Sequence, residues 1–223
     1  MLEAQDSDPA ALARLCGDYW QPLYGYACRL SGDPEAAKDL TQGFFEHLLS
    51  KECLRHARQD RGKLRSFLLT ALKAYSISQW RKGQRVRRGG GDMPIPLDGW
   101  DEVERLQKEP RHGVTPELEY DRAWARQLLA SVMAKLAAVY AEAGKAALFE
   151  GLRDRLEVRC EPVPYAETAA ALGLTEAVLR VGAFKLRKRY RDLLQAAIAE
   201  TVASPEDLAE EVNYLMAVFA EPS

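Results

Sequence analysis

The amino-acid sequence predicts an all-α protein of two small helical domains joined by a flexible acidic linker. Three observations carry this. Apolar residues recur at spacings of three and four through most of the chain. Strand signals are nearly absent, the one candidate, "EVRCEPVPY", being short and carrying two prolines. A stretch rich in Gly, Pro and Asp, running from Gly89-Gly90-Gly91 to Pro116, interrupts the helical pattern for longer than a connection inside a compact domain normally does. The implied divisions are a first domain at residues 1–90, a linker at 91–115, a second domain at 116–200 and an acidic amphipathic helical extension at 201–223.

Taken in order, the first helix starts at Asp8-Pro9, a capping side chain followed by proline in the first turn, and Pro22 is expected to kink or break it. A second helix starts at Asp33-Pro34 and carries Leu40, Phe44, Phe45, Leu48 and Leu49 as its apolar stripe. Residues 51–63 are polar, hold Gly62 and read as a loop. A third helix follows, with Leu64, Phe67, Leu68, Ala71, Leu72 and Tyr75 at helical spacing, and runs through basic residues to Gly89. Thr115-Pro116 opens a long helix to about Gly144, and "KAALFEGLRDRL" forms a further one. In the tail, Ser204 and Pro205 start a helix whose predicted stripe is Leu208, Val212, Leu215, Met216 and Phe219.

With 223 residues the chain can build its cores without a disulfide or metal staple. Cys16, Cys28, Cys53 and Cys160 are scattered without a Cys-x-x-Cys pair, which fits free thiols. No apolar run reaches the length of a membrane span, and the acidic, polar start "MLEAQDSDPA" lacks the features of a secretion signal, so a cytoplasmic protein with no membrane partner is expected. His47, His56 and His112 show no ligand spacing with cysteines or carboxylates. The triple glycine precedes an acidic linker rather than a helix start. No enzyme, cofactor or metal site is therefore expected.

Charge is sorted by segment. The formal net charge is only -2, yet residues 1–50 hold three basic and eight acidic side chains, and residues 51–91 hold twelve basic and two acidic. Residues 200–223 hold six acids and no base. A positive field concentrated on one segment is the footprint of a polyanion partner, against the plainer reading of a solvated helix face. The segment "KAYSISQWRKGQRVRRGGG" adds Tyr75 and Trp80 to that charge.

Near the C-terminus, "PYAETAAALGLTEAVLRVGAFKLRKRYRDLL" predicts a short Ala-rich helix, a turn at Gly173-Leu174, and a second helix capped by Thr175. This is a helix-turn-helix pattern spanning residues 164–191. Ala166, Ala169 and Ala170 are expected to let the helices approach, with Leu174, Val178 and Leu179 in the wedge between them. Arg180, Lys185, Arg187, Lys188, Arg189 and Arg191 on the second helix suit a major groove, with base edges near its N-terminal part and phosphates beyond.

Together these segments resemble the bacterial RNA polymerase sigma factors of the extracytoplasmic-function (ECF) subfamily of the sigma-70 family. "DPEAAKDLTQGFFEHLL" is similar to the family's region 2.2, "RSFLLTALKAYSISQWRK" to regions 2.3 and 2.4, and "PYAETAAALGLTEAVLRVGAFKLRKRY" to region 4.2. The resemblance implies a sigma region 2 domain at 1–90 and a sigma region 4 domain at 116–200. It implies core RNA polymerase as partner, through the clamp helices of its largest subunit and its flap region, together with promoter DNA. An anti-sigma factor or another regulator is a further partner the resemblance allows.

Carried over by position, Asp39, Leu40, Gln42 and Phe45 correspond to the polymerase-docking face. Their spacing sets a polar rim and an apolar contact on one side of a helix, while Leu40 and Phe44 equally suit a core. Lys73, Tyr75, Ser76, Gln79, Trp80, Arg81, Lys82 and Arg85 correspond to the helix facing the minus-ten element. Aromatics there can hold unstacked bases while cations follow the backbone, although Tyr75 also suits a core. Arg55, Arg58 and Arg61 lie in the loop corresponding to the specificity loop. Thr175, Glu176, Arg180, Lys185, Arg187 and Lys188 correspond to positions that read the minus-thirty-five element or its backbone. Glu176 suits either a cytosine amino group or the helix N-terminus. Ala74, Ser78 and Gly182 depart from the family pattern. A stand-alone helix-turn-helix regulator of duplex DNA is the alternative; it would have no use for the Asp39–Phe45 face or for the Tyr75 and Trp80 helix.

Overall fold

The computed structural model describes residues 9–50, 63–88, 115–156 and 163–220. Among the described residues the chain is all-α. Its helices are α1 (Pro9–Ser31), α2 (Pro34–Leu49), α3 (Leu64–Arg88), α4 (Pro116–Glu142), α5 (Ala146–Leu152), a 3-10 turn (Arg153–Leu156), α6 (Tyr165–Leu172), α7 (Glu176–Ala199) and α8 (Pro205–Ala220). Among the described residues no helix is long and apolar enough to cross a membrane. The chain divides into two packing units, Met1–Gln127 with Thr201–Ser223, and Leu128–Glu200. These are drawn differently from the segments marked out in the sequence, because the start of α4 and all of α8 pack in the first unit.

In the first unit α1 runs as one helix through Pro22, so the expected break at Pro22 does not occur. Proline forgoes one rung of the helical ladder. Burial of Tyr19, Leu23, Tyr26 and Ala27 in the turns on either side offsets that loss, at about 1.5–3 kcal/mol for a large apolar side chain taken out of water. At the end of α1, Gly32 adopts φ 68°, a left-handed conformation that glycine takes without a Cβ penalty, and its N–H reaches the Cys28 carbonyl at 3.0 Å. Asp33 then caps α2, accepting from the Glu35 and Ala36 N–H groups at 3.3 Å each. The core of this unit is built by Leu23 and Tyr26 of α1, Phe44, Phe45 and Leu48 of α2, Leu68 and Leu72 of α3, Tyr120 and Trp124 of α4, and Leu215 and Val218 of α8.

The α8 stripe differs from the expected one. Leu215 is buried, but Met216 is 67% exposed and the inward positions are Leu208, Glu211, Leu215 and Val218. A carboxylate, Glu211, thus occupies a core-facing position at 1% exposure. Its partner is Arg65 of α3. The Arg65 guanidinium donates to Glu211 through Nε and Nη2, the latter at 3.2 Å, and through Nη1 to Asp121 of α4 at 2.7 Å. Its carbon lies 4.1 Å from the Tyr214 ring centre and 5.1 Å from that of Trp124. Burial works to lower the Arg65 pKa, but the two carboxylates overcome it and hold the guanidinium above its ordinary value. Tyr214 donates to the second Asp121 oxygen, and burial together with that carboxylate pushes its phenol up to about 12. The Leu64 N–H donates to the Thr201 carbonyl at 2.9 Å, and Lys63 lies 3.3 Å from Glu211. An acid of the tail therefore meets basic residues at the start of α3.

The second unit has a core of Leu136, Phe149, Leu152, Ala169, Leu179, Ala183 and Leu186. After α6, Gly173 at φ 64° turns the chain, and the Leu174 N–H reaches the Ala169 carbonyl at 2.9 Å. Thr175 then caps α7 by accepting from the Val178 N–H at 3.4 Å. Of the residues expected between these helices, Ala169 and Leu179 are buried, whereas Ala166, Ala170, Leu174 and Val178 are exposed. The α6 helix also comes close to α5: a Cβ on Gly151 would lie 3.0 Å from Leu172 and 3.2 Å from Thr168. Glycine at 151 thus removes the side chain that would hold α6 away from α5.

Candidate nucleic-acid interface

On α2, Asp39 and Gln42 are exposed, and Gln42 donates to Glu46 at 3.0 Å. Leu40 is half-buried. Phe45 is buried, stacked on Trp20 at 5.5 Å between ring centres, and Phe44 is buried beside it. Two of the expected face residues therefore stand at the surface, while Phe45 supports them from within.

On α3, Tyr75 leans back onto α2, edge-on to Phe44 at 6.0 Å and stacked on His47 at 5.4 Å. Gly43 makes room for it, since a Cβ there would lie 2.6 Å from the Tyr75 hydroxyl. Tyr75 thus joins α2 to α3. Ser76 donates to the Lys73 carbonyl at 2.8 Å. One turn beyond Tyr75 the surface opens. Trp80 is 53% exposed, next to half-buried Arg81 and exposed Lys82. Arg55, Arg58, Arg61 and the side chain of Arg85 lie outside the described residues.

Lys73 is already engaged. Its ammonium lies 2.7 Å from Glu117 of α4 and 5.6 Å from the Tyr26 ring centre, and the Tyr26 hydroxyl donates to the same Glu117 oxygen at 3.3 Å. One turn away Arg29 of α1 forks onto Glu119, with Nε at 2.6 Å. Burial works to raise the Glu117 pKa, but its bonds to Lys73, a backbone N–H and Tyr26 win and lower it below the usual carboxylate value. A carboxyl with a lowered folded pKa contributes stability above its unfolded pKa and loses it as pH falls through the folded one. Acidification below the normal carboxylate range should therefore loosen α4 from α1 and α3, and Glu117→Gln should flatten that part of the acid-unfolding curve followed by circular dichroism.

In the second unit Thr175, Glu176, Arg180, Lys185, Arg187 and Lys188 are all exposed. Glu176 has a role the sequence reading missed: it accepts from Arg180 Nε at 3.1 Å, one helical turn away. Tyr165 was missed as well. The Arg180 guanidinium lies 4.7 Å from its ring centre, that of Arg155 3.7 Å, and Arg187 donates to its hydroxyl at 3.0 Å. Their signal was an aromatic opening the α6 helix ahead of a basic α7. Gly182 is half-buried toward Leu148 and Leu152, so it stands to the side of the open face of α7.

The first unit thus carries a paired-helix module in which α2 shows polar side chains and α3 shows an exposed indole beside Arg81 and Lys82. Residues 15–86, about a third of the chain, match the family model Sigma-70 region 2. The match covers α2 and nearly all of α3, and it supports a member of the sigma-70 family with a part in RNA polymerase binding and promoter melting. No curated protein and no solved structure matches the chain.

Proposed function

We propose that the chain is a sigma factor of the extracytoplasmic-function group: it binds core RNA polymerase, directs it to promoters with minus-thirty-five and minus-ten elements, and aids melting of the latter. The observation that carries this is the Sigma-70 region 2 match over helices that expose Asp39 and Gln42 on one side and Trp80 with Arg81 and Lys82 on another. In this reading Asp39, Leu40 and Gln42 meet the clamp helices of the largest subunit, with Phe45 and Trp20 as the packed support behind them. Trp80 receives an unstacked base, Gln79, Arg81, Lys82 and Arg85 hold the strand, and Arg58 and Arg61 extend that contact from the loop. Tyr75 and Ser76 position the helix.

Residues 116–200 then serve as region 4, with residues 164–191 as a helix-turn-helix reading the minus-thirty-five element. Support comes from the short turn at Gly173, the Thr175 cap and the exposed cations Arg180, Lys185, Arg187 and Lys188. Glu176 orients Arg180 for that task. Residues 91–115 connect the two functions. The protein acts in the cytoplasm without a catalytic centre of its own, and its partners are polymerase, including the flap region, and promoter DNA. An anti-sigma factor remains a partner by family analogy. Added to core polymerase, the chain should yield transcripts from defined start sites, and Asp39→Ala with Gln42→Ala should reduce them in proportion to lost complex formation.

A further inference from the structure

A solvated helix puts charge opposite its buried stripe. On α7 the buried stripe is Leu179, Ala183 and Leu186, at spacings of four and three. The opposite face, by the same spacing, is Ala177, Val181, Phe184 and Lys188. Its first three positions are apolar and open to water: Val181 is 53% exposed and Phe184 68%. Leaving a phenylalanine and a valine in solvent gains the folded chain nothing, and none of the described residues covers them.

The surroundings of this apolar strip say what kind of surface it fits. Arg180, Lys185, Lys188 and Arg191 flank it, all exposed; of the two exposed acids on α7, Glu176 is taken up by Arg180 and Asp192 lies a turn beyond Lys188, past the apolar strip. The partner must present anions on both sides and small apolar groups between them. Duplex DNA does this in its major groove, where phosphates border base edges and the thymine 5-methyl is the apolar group offered. The order along α7 agrees, since Val181 and Phe184 lie in its first turns and Lys188 and Arg191 beyond. The N-terminal part of such a helix lies against bases and the later part against the backbone.

Resting on the reading of α6 and α7 as a DNA-reading helix pair, we propose that Val181 and Phe184 set sequence preference by packing on thymine methyl groups, with Arg180 held beside them by Glu176 and Tyr165. The hydrogen-bonding side chains at the start of α7 then account for part of the recognition, and the apolar pair for the rest.

The test uses the full chain, alone and with core polymerase, to retain duplexes from a random-sequence library. A retained duplex is then resynthesised with deoxyuridine in place of individual thymidines, which removes only the methyl group. Wild type should bind the thymidine form about fourfold more tightly per contacted methyl, the equivalent of one buried methylene. Val181→Ala and Phe184→Ala should each abolish the discrimination at one position, while Lys188→Gln weakens both forms equally. Because both apolar residues are more than half exposed, the variants should melt like wild type, which keeps a folding defect distinguishable. Equal binding of the two forms by wild type, or discrimination unchanged in the variants, overturns the thymine reading and leaves DNA binding standing. Failure to retain any duplex in either arm removes the DNA-reading role of α6 and α7, and the proposal with it.

Discussion

Arg65→Ala should destabilise the first packing unit by about 3–5 kcal/mol, the loss expected when one member of a buried ion cluster is removed and its partners are stranded. Glu211, at 1% exposure, and Asp121, at 7%, would each keep a charge with its main donor gone. The melting midpoint of that unit should fall by roughly 6–20 °C for a chain of this size. The consequence reaches the tail, because Glu211 and Tyr214 are how α8 engages α3 and α4. A combined Arg65→Met, Asp121→Asn and Glu211→Leu variant should recover most of the loss, since it removes the charges together and keeps an acceptor for Tyr214. A fall below about 1 kcal/mol in Arg65→Ala, comparable to an exposed ion pair, would show that the cluster does not hold the tail in place.

The second large effect is expected at Trp80. Its indole is 53% exposed, so truncation should leave folding nearly unchanged. Stacking of a base on an aromatic is worth about 1–3 kcal/mol, so Trp80→Ala should reduce strand opening about 5- to 150-fold. Affinity for closed duplex, carried by Arg81, Lys82 and their neighbours, should change by less than about twofold. Fluorescence of 2-aminopurine placed in the minus-ten element reports opening, and gel shifts report duplex affinity. Equal losses in the two assays would make Trp80 a general binding contact and contradict its assignment to the melted strand.

Much of the architecture was legible because proline, glycine and small capping residues punctuate it. Asp33-Pro34, Thr115-Pro116, Gly173 with Thr175, and Ser204-Pro205 all mark helix boundaries that the structure keeps. The break that was one of the two outcomes expected at Pro22 is absent because burial of Tyr19 and Tyr26 on either side outweighs the local cost. The α8 stripe was misplaced for a related reason. Glu211 stands among Leu208, Leu215 and Val218 at spacings of three and four, as Arg65 does with Leu68 and Leu72 and Asp121 with Trp124 and Ala125. Each charge sits on an otherwise buried stripe, and three such misfits on three helices are the sequence mark of a buried ion cluster. Their mutual pairing requires the fold, since 146 residues separate Arg65 from Glu211.

For the candidate site, periodicity could say that Asp39, Gln42 and Phe45 share one side of α2, but not how deep each sits. Depth is set by Trp20, which covers Phe45, and by Gly43, which lets Tyr75 close against α2. Lys73 shows the same limit in charge. Composition marks it as one more cation, whereas Glu117 from a distant helix already neutralises it.

The most direct measurement is in vitro transcription from genomic DNA by core polymerase, with and without the full chain, reading transcript starts. The account predicts starts at a small set of positions sharing two upstream elements, present only when the chain is added, and sharply reduced by Asp39→Ala with Gln42→Ala. A start pattern identical with and without the chain, and no chain co-eluting with core polymerase, would contradict it.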